Sequence, residues 1–168
     1  APTDANGVTR ATLVSTVAEG KTVTAVVDGQ VFPISAVVTF VSGTASQLTL
    51  RTPPPSEIVQ GAVLPTVVVA VEDQFGNLVT SSGLGSMSVS ASPVPGELSG
   101  PLSQSVVNGF ASFDSLSLSG VGAGRALTFQ LGNLSVSSNG INVTAIPPST
   151  NKLVFTASPS GSVAAGDS

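Results

Sequence analysis

Two stretches of this sequence recur at almost one spacing. The segment from Gln47, QLTLRTPPPSEIVQGAV, aligns without a gap with the one from Lys152, KLVFTASPSGSVAAGDS, 105 residues later. Leu48 then meets Leu153, Leu50 meets Phe155, Pro54 meets Pro159, Ile58 meets Val163 and Gly61 meets Gly166. A second match joins the start of the chain to its middle. Asn6-Gly7 answers Asn108-Gly109, and GKTVTAVVDG from Gly20 answers GRALTFQLGN from Gly124, at spacings of 102 and 104 residues. The period is longer than that of solenoid repeats, so each unit must have its own core.

That register divides the chain. Residues 1–44 read as the C-terminal part of one repeat, 45–147 as a whole repeat and 150–168 as the start of a third. On this reading the segment is a window on a longer tandem array. The connection Ile146-Pro147-Pro148-Ser149-Thr150 carries a proline pair, which favours extended polyproline geometry and a semi-rigid spacer.

Every clear periodicity has the period of a strand. Val67, Val69 and Val71 alternate with Val68, Ala70 and Glu72, while Met87, Val89 and Ala91 alternate with serines. Leu127, Phe129 and Leu131 keep the same phase as Val23, Ala25 and Val27 one repeat earlier. Turn signals separate the runs at Phe75-Gly76-Asn77, Pro93-Val94-Pro95-Gly96, Asn108-Gly109, Gly132-Asn133 and Asn139-Gly140. Several short alternating strands within about 100 residues predict an all-β sandwich. The expected core includes Val67, Val69, Val71, Met87, Val89, Phe113, Leu127, Phe129 and Leu131.

Composition excludes several classes. Charged residues make up 8% and apolar ones 41%, and the mean hydropathy is +0.45, the reverse of a disordered chain. The densest apolar stretch, Ala62 to Val71, is broken by Pro65 and is too short to span a bilayer. No secretory leader opens the sequence, so an export signal is expected outside it. The basic residues Arg10, Lys21, Arg51, Arg125 and Lys152 stand singly, which argues against nucleic acid as a partner. Cysteine and histidine are absent, which removes disulfides, thiolate metal sites and the commonest nucleophile–base pairs. The acids Glu57, Glu72, Asp73, Glu97 and Asp114 show no paired spacing. The expectation is no enzyme and no cofactor.

The segment Asp4 to Phe40, DANGVTRATLVSTVAEGKTVTAVVDG…AVVTF, resembles the C-terminal half of a bacterial immunoglobulin-like repeat of the invasin/intimin group. VVVAVEDQFGNLV, Val67 to Val79, is similar to the strand and turn V-x-D-x-x-G-N-x-V of such repeats. The resemblance implies tandem immunoglobulin-like Greek-key β-sandwiches, one complete and two partial. It also implies an extracellular or cell-surface location and a structural or adhesive role as a spacer or fibre component. The expected partners are neighbouring repeats and identical chains in a fibre. The alternative is a ligand-binding module for glycan or a receptor, although no Trp or Tyr is present to stack on sugar rings.

Candidate sites are few. Glu72 and Asp73 could ligate Ca²⁺ from a strand end, or Asp73 could cap the Gly76-Asn77 turn; the absence of further acids at ligand spacing favours the turn. Asp4, Asp28, Asp114 and Asp167 lie near turns or repeat ends, where two could share an ion across a junction. A Lys–Asn isopeptide staple is excluded within 45–147, which has no Lys; Lys21 and Lys152 read as exposed strand residues. Asn133-Leu134-Ser135 and Asn142-Val143-Thr144 match the glycosylation sequon, which carries no meaning in a bacterial source. Phe110 and Phe113 are expected to pack in the core.

Overall fold

The computed structural model describes residues 3–92 and 97–148. It is all-β, with no helix among the described residues. In chain order the strands are β1 (Gly20–Val27), β2 (Gln30–Thr39), β3 (Gln47–Thr52), β4 (Glu57–Val59), β5 (Val67–Glu72), β6 (Ser86–Ser92) and β7 (Leu98–Ser99). They continue as β8 (Ser103–Ser105), β9 (Phe110–Phe113), β10 (Ser117–Leu118), β11 (Gly122–Leu131), β12 (Leu134–Ser137) and β13 (Ile141–Thr144).

One sheet runs β4-β13-β11-β6-β8, with β12 continuing the β13 side of β11, and a second runs β3-β5-β9. All pairs are antiparallel except β13 with β4, which run parallel through Asn142↔Glu57, Val143↔Ile58 and Thr144↔Val59. Two short strands, β7 and β10, pair with each other. Apolar side chains of both sheets fill one core, where the Phe113 and Phe129 rings lie 5.1 Å apart and tilted by 57°. Such a tilted aromatic pair adds attraction beyond its area burial.

The expected phase holds throughout. Val67, Val69, Val71, Met87, Val89, Phe113, Leu127, Phe129 and Leu131 are all buried. The odd positions of β5 face the core, yet Ala70 and Glu72 on its other face are buried as well. That second face lies between β3 and β9, whose side chains close over it; Ala70 sits opposite Thr49 and Phe110. Phe110 departs from expectation. It alternates with buried Ala111 and lies exposed, because residues three apart on a strand point to opposite faces.

Tight turns follow residue chemistry. Asp28-Gly29 closes β1 onto β2 with both φ angles positive (52° and 80°), the geometry whose twist suits a two-residue hairpin. Asn108-Gly109 does the same before β9, at 49° and 82°.

The β1–β2 hairpin stands apart from this core. Every one of its residues is exposed, including Val26 at 60%, Val37 at 68% and Ile34 at 74%. Among the described residues, the buried apolar side chains lie between Leu48 and Val143.

Candidate functional site

The chain from Glu72 to Asn77 connects the hairpin segment with the core. β5 ends at Glu72, and Asp73 begins a tight turn closed by Gly76 N–H donating to Asp73 O (3.0 Å) and Asp73 N–H donating to Asn77 O (3.0 Å). Gly76 takes the left-handed φ of 83° that this turn demands.

Asp73 is buried, and its carboxylate is surrounded by N–H donors. Oδ1 accepts from the backbone of Phe75 (2.9 Å) and Asn77 (2.9 Å), and from Asn77 Nδ2 (3.2 Å). Oδ2 accepts from Asn77 Nδ2 (3.0 Å) and from the backbone N–H of Gly43 (2.8 Å), thirty residues away in the connection before β3. The Asn77 side-chain amide, followed by the Gly43, Asn77 and Phe75 N–H groups, holds the Asp73 carboxyl down at about 2 from an ordinary 3.8, against the opposing effect of burial.

Asn77 extends the grip to the segment before the hairpin. Its Nδ2 donates to Thr16 O (2.8 Å) and its Oδ1 accepts from Ala18 N–H (2.8 Å). A side-chain amide that meets one peptide carbonyl and one peptide N–H fixes that segment much as a neighbouring strand would. A cleft of about 320 Å³ lies at this junction, lined by Ser15, Thr16, Val41, Gly43, Asp73 and the half-exposed Phe75.

Glu72 has a separate role. Thr49 Oγ1 donates to it (2.8 Å), Gln47 Nε2 lies at 3.4 Å, and the Arg51 guanidinium pairs with it. Those three partners alternate on one face of β3, opposite Glu72 in the β3–β5 register. The two adjacent carboxylates considered as calcium ligands therefore do not converge. One spans two strands and the other lies within amide donors that a cation would have to displace. Among the described residues, no three His, Cys, Asp or Glu side chains come together as metal ligands.

The other candidates lie apart from this site. Asp4 caps its own turn through Asn6 and Val8 N–H (2.9 Å each), Asp28 sits at the hairpin tip, and Asp114 accepts from the Thr66 hydroxyl. Lys21 pairs with Glu19 on the hairpin. Asn142 Oδ1 accepts from Gly124 N–H (3.3 Å), and Asn133 lies in the turn between β11 and β12. Asp167 and Lys152 fall outside the described residues. Arg125 is buried and donates to the Ser119 and Gly120 carbonyls, a role that its isolated place in the sequence does not announce.

The Asp73 carboxylate sets an acid limit on the fold. Its pKa is depressed in the folded state, so its stabilisation is complete above the unfolded value of 3.8 and is lost as pH falls to about 2. Asp73→Asn is expected to lower the melting temperature at neutral pH. It should also flatten the decline in melting temperature between pH 4 and 2, as read by circular dichroism. A variant with the same acid slope as the parent would contradict this assignment.

No protein-family model matches the chain, and no curated protein does. Among solved structures the chain is similar to a beta-glycosidase from Bacteroides vulgatus, at 16% identity and a TM-score of 0.48. The match covers 73% of this chain but only 17% of that one. It corrects the expectation of no enzyme: the similar structure is itself an enzyme, and that expectation is carried no further. A likeness this distant assigns no activity to this chain either.

Proposed function

We propose that the chain is a structural segment of an extracellular tandem-repeat protein, built from immunoglobulin-like Greek-key β-sandwiches held end to end at a fixed angle. In this reading residues 45–147 form one repeat, 1–44 end the repeat before it and 150–168 begin the next. The sheet orders β4-β13-β11-β6-β8 and β3-β5-β9 support the sandwich type, in which the first strands are divided between two sheets. The 104-residue correspondence of β1 with the start of β11 supports the array.

One observation carries the proposal. The Asp73–Asn77 turn bonds Thr16, Ala18 and Gly43 together, so that what precedes the sandwich is tied to it at three backbone points. A spacer needs such a tie, because a free linker between two domains leaves their relative motion unrestrained. Surface or adhesive proteins use stiff arrays to hold a binding end away from their anchor.

Site-directed spin labelling tests it, and the absence of native cysteine makes the labelling clean. Labels at Gln30→Cys and Ser135→Cys should give a narrow distance distribution. Asn77→Ala should broaden it and cost about 1–3 kcal/mol, the range for losing bonds between partly buried polar groups. A distribution as broad in the parent as in the variant would refute a fixed junction.

A further inference from the structure

Both outer edges of the β1–β2 hairpin lack a ladder partner among the described residues, and an apolar face lies beside the β1 edge. Among the described residues β1 pairs with β2 alone, and β2 with β1 alone. Val23 sits opposite Ala36 and Lys21 opposite Val38, so these side chains share one side, to which alternation adds Ala25 and Ile34; past the register shift between Thr24 and Val26, Val27 sits opposite Gln30. An isolated two-stranded hairpin is marginal in water, and this one exposes its most apolar face.

The correspondence between repeats says what covers such a face. β1 aligns with β11 at a spacing of 104 residues, which carries Val23 onto Leu127 and Ala25 onto Phe129. β11 has β6 on its other edge, with Leu127 opposite Ala91 and Phe129 opposite Val89. β6 reads SMSVSAS, with serine outward and Met87, Val89 and Ala91 turned inward to varying depth.

Strand chemistry also identifies the groups left open. Phe40 N–H donates to Glu19 O (2.9 Å), which makes that pair a hydrogen-bonded one. By alternation Lys21 and Val23 face β2, while the N–H and C=O groups of Thr22 and Thr24 point away from it. Their counterparts Ala126 and Thr128 lie in the register that pairs β11 with β6.

We propose that the free edge of β1 is a strand-docking site, occupied by a strand of the β6 pattern from another repeat of the same protein. The inference rests on the tandem-repeat reading above. Size argues against a second hairpin as the occupant. The hairpin face measures about 30 by 10 Å from strand geometry, roughly 300 Å². Stable association of separate chains takes about 800 Å² on each side. A strand tethered in the same protein acts at high effective concentration and needs less. Strand addition supplies backbone bonds at Thr22 and Thr24, and the inward apolar side chains supply the selection.

The test is amide hydrogen exchange by NMR on the whole 168-residue chain with a synthetic peptide of residues 85–92, GSMSVSAS. The expected result is slowing of about tenfold or more at the Thr22 and Thr24 amides at millimolar peptide. A peptide with serine in place of Met87, Val89 and Ala91 should give no slowing. The proposal is overturned if the native peptide leaves both amides unchanged, or if the all-serine core peptide slows them equally. It is also overturned if both amides are already protected in dilute protein without peptide. The spin-label distances across the junction do not involve this edge, so failure here leaves the tandem reading to its own test.

Discussion

Phe129→Ala is expected to cost about 3–5 kcal/mol of stability, the range for deleting a buried aromatic ring from a packed core. Phe129 is fully buried on β11, and its ring meets that of Phe113 on the opposite sheet at 5.1 Å. Aromatic residues are scarce in this chain, seven Phe with no Trp or Tyr, so little else can fill the space. In a domain of this size each kcal/mol moves the melting temperature by roughly 4–8 °C, which predicts a fall of about 12 °C or more. Calorimetry would read it. Phe32→Ala on the exposed hairpin should change the same transition by no more than about 0.5 kcal/mol. Equal losses from the two variants would mean that the sheets do not share the core described.

Gly109→Ala should be nearly as severe, for a different reason. Gly109 has φ 82°, and a Cβ there would stand 2.8 Å from the Val79 carbonyl oxygen and 2.8 Å from Leu78 Cγ. The left-handed conformation alone costs an L-residue about 1–2 kcal/mol. Moving a backbone oxygen out of a packed turn adds about 1–3 kcal/mol. The expected total is about 2–5 kcal/mol, read as a shift in the urea midpoint. Gly132→Ala, also at positive φ but with nothing within 4 Å, should pay only the conformational part. Leu78 and Val79 follow directly on Asn77, so Gly109→Ala should also broaden the junction distances. A Gly109→Ala midpoint equal to that of Gly132→Ala would remove the steric argument.

The core was legible in the sequence because a strand's period of two needs no knowledge of its partner. Val67, Val69 and Val71 declare their face locally, as do Leu127 and Phe129. Ala70 and Glu72 do not, because their burial depends on β3 and β9 lying on either side, and register between strands is a property of pairs. Phe110 departs from the expected core for a local reason instead: three residues from Phe113 on one strand, it faces the other way. At the junction, Asp73 and Gly76-Asn77 announce a turn. Their reach to Gly43, Thr16 and Ala18 spans some 30 to 61 residues and touches only backbone there, so no residue type at those positions records it.

The parallel pairing of β4 with β13 has a mechanical meaning. β4 lies near the start of the sandwich and β13 at its end, side by side and pointing the same way. In a tandem array of the kind proposed, tension would meet β3 first and, once β3 had peeled from β5, would draw β4 and β13 in opposite directions along their length. The hydrogen bonds between them are then loaded together, in shear, and must break together. An antiparallel hairpin pulled from its open end would give way one bond at a time. In such an array the parallel β4–β13 pair would be the contact that resists extension after β3 has yielded.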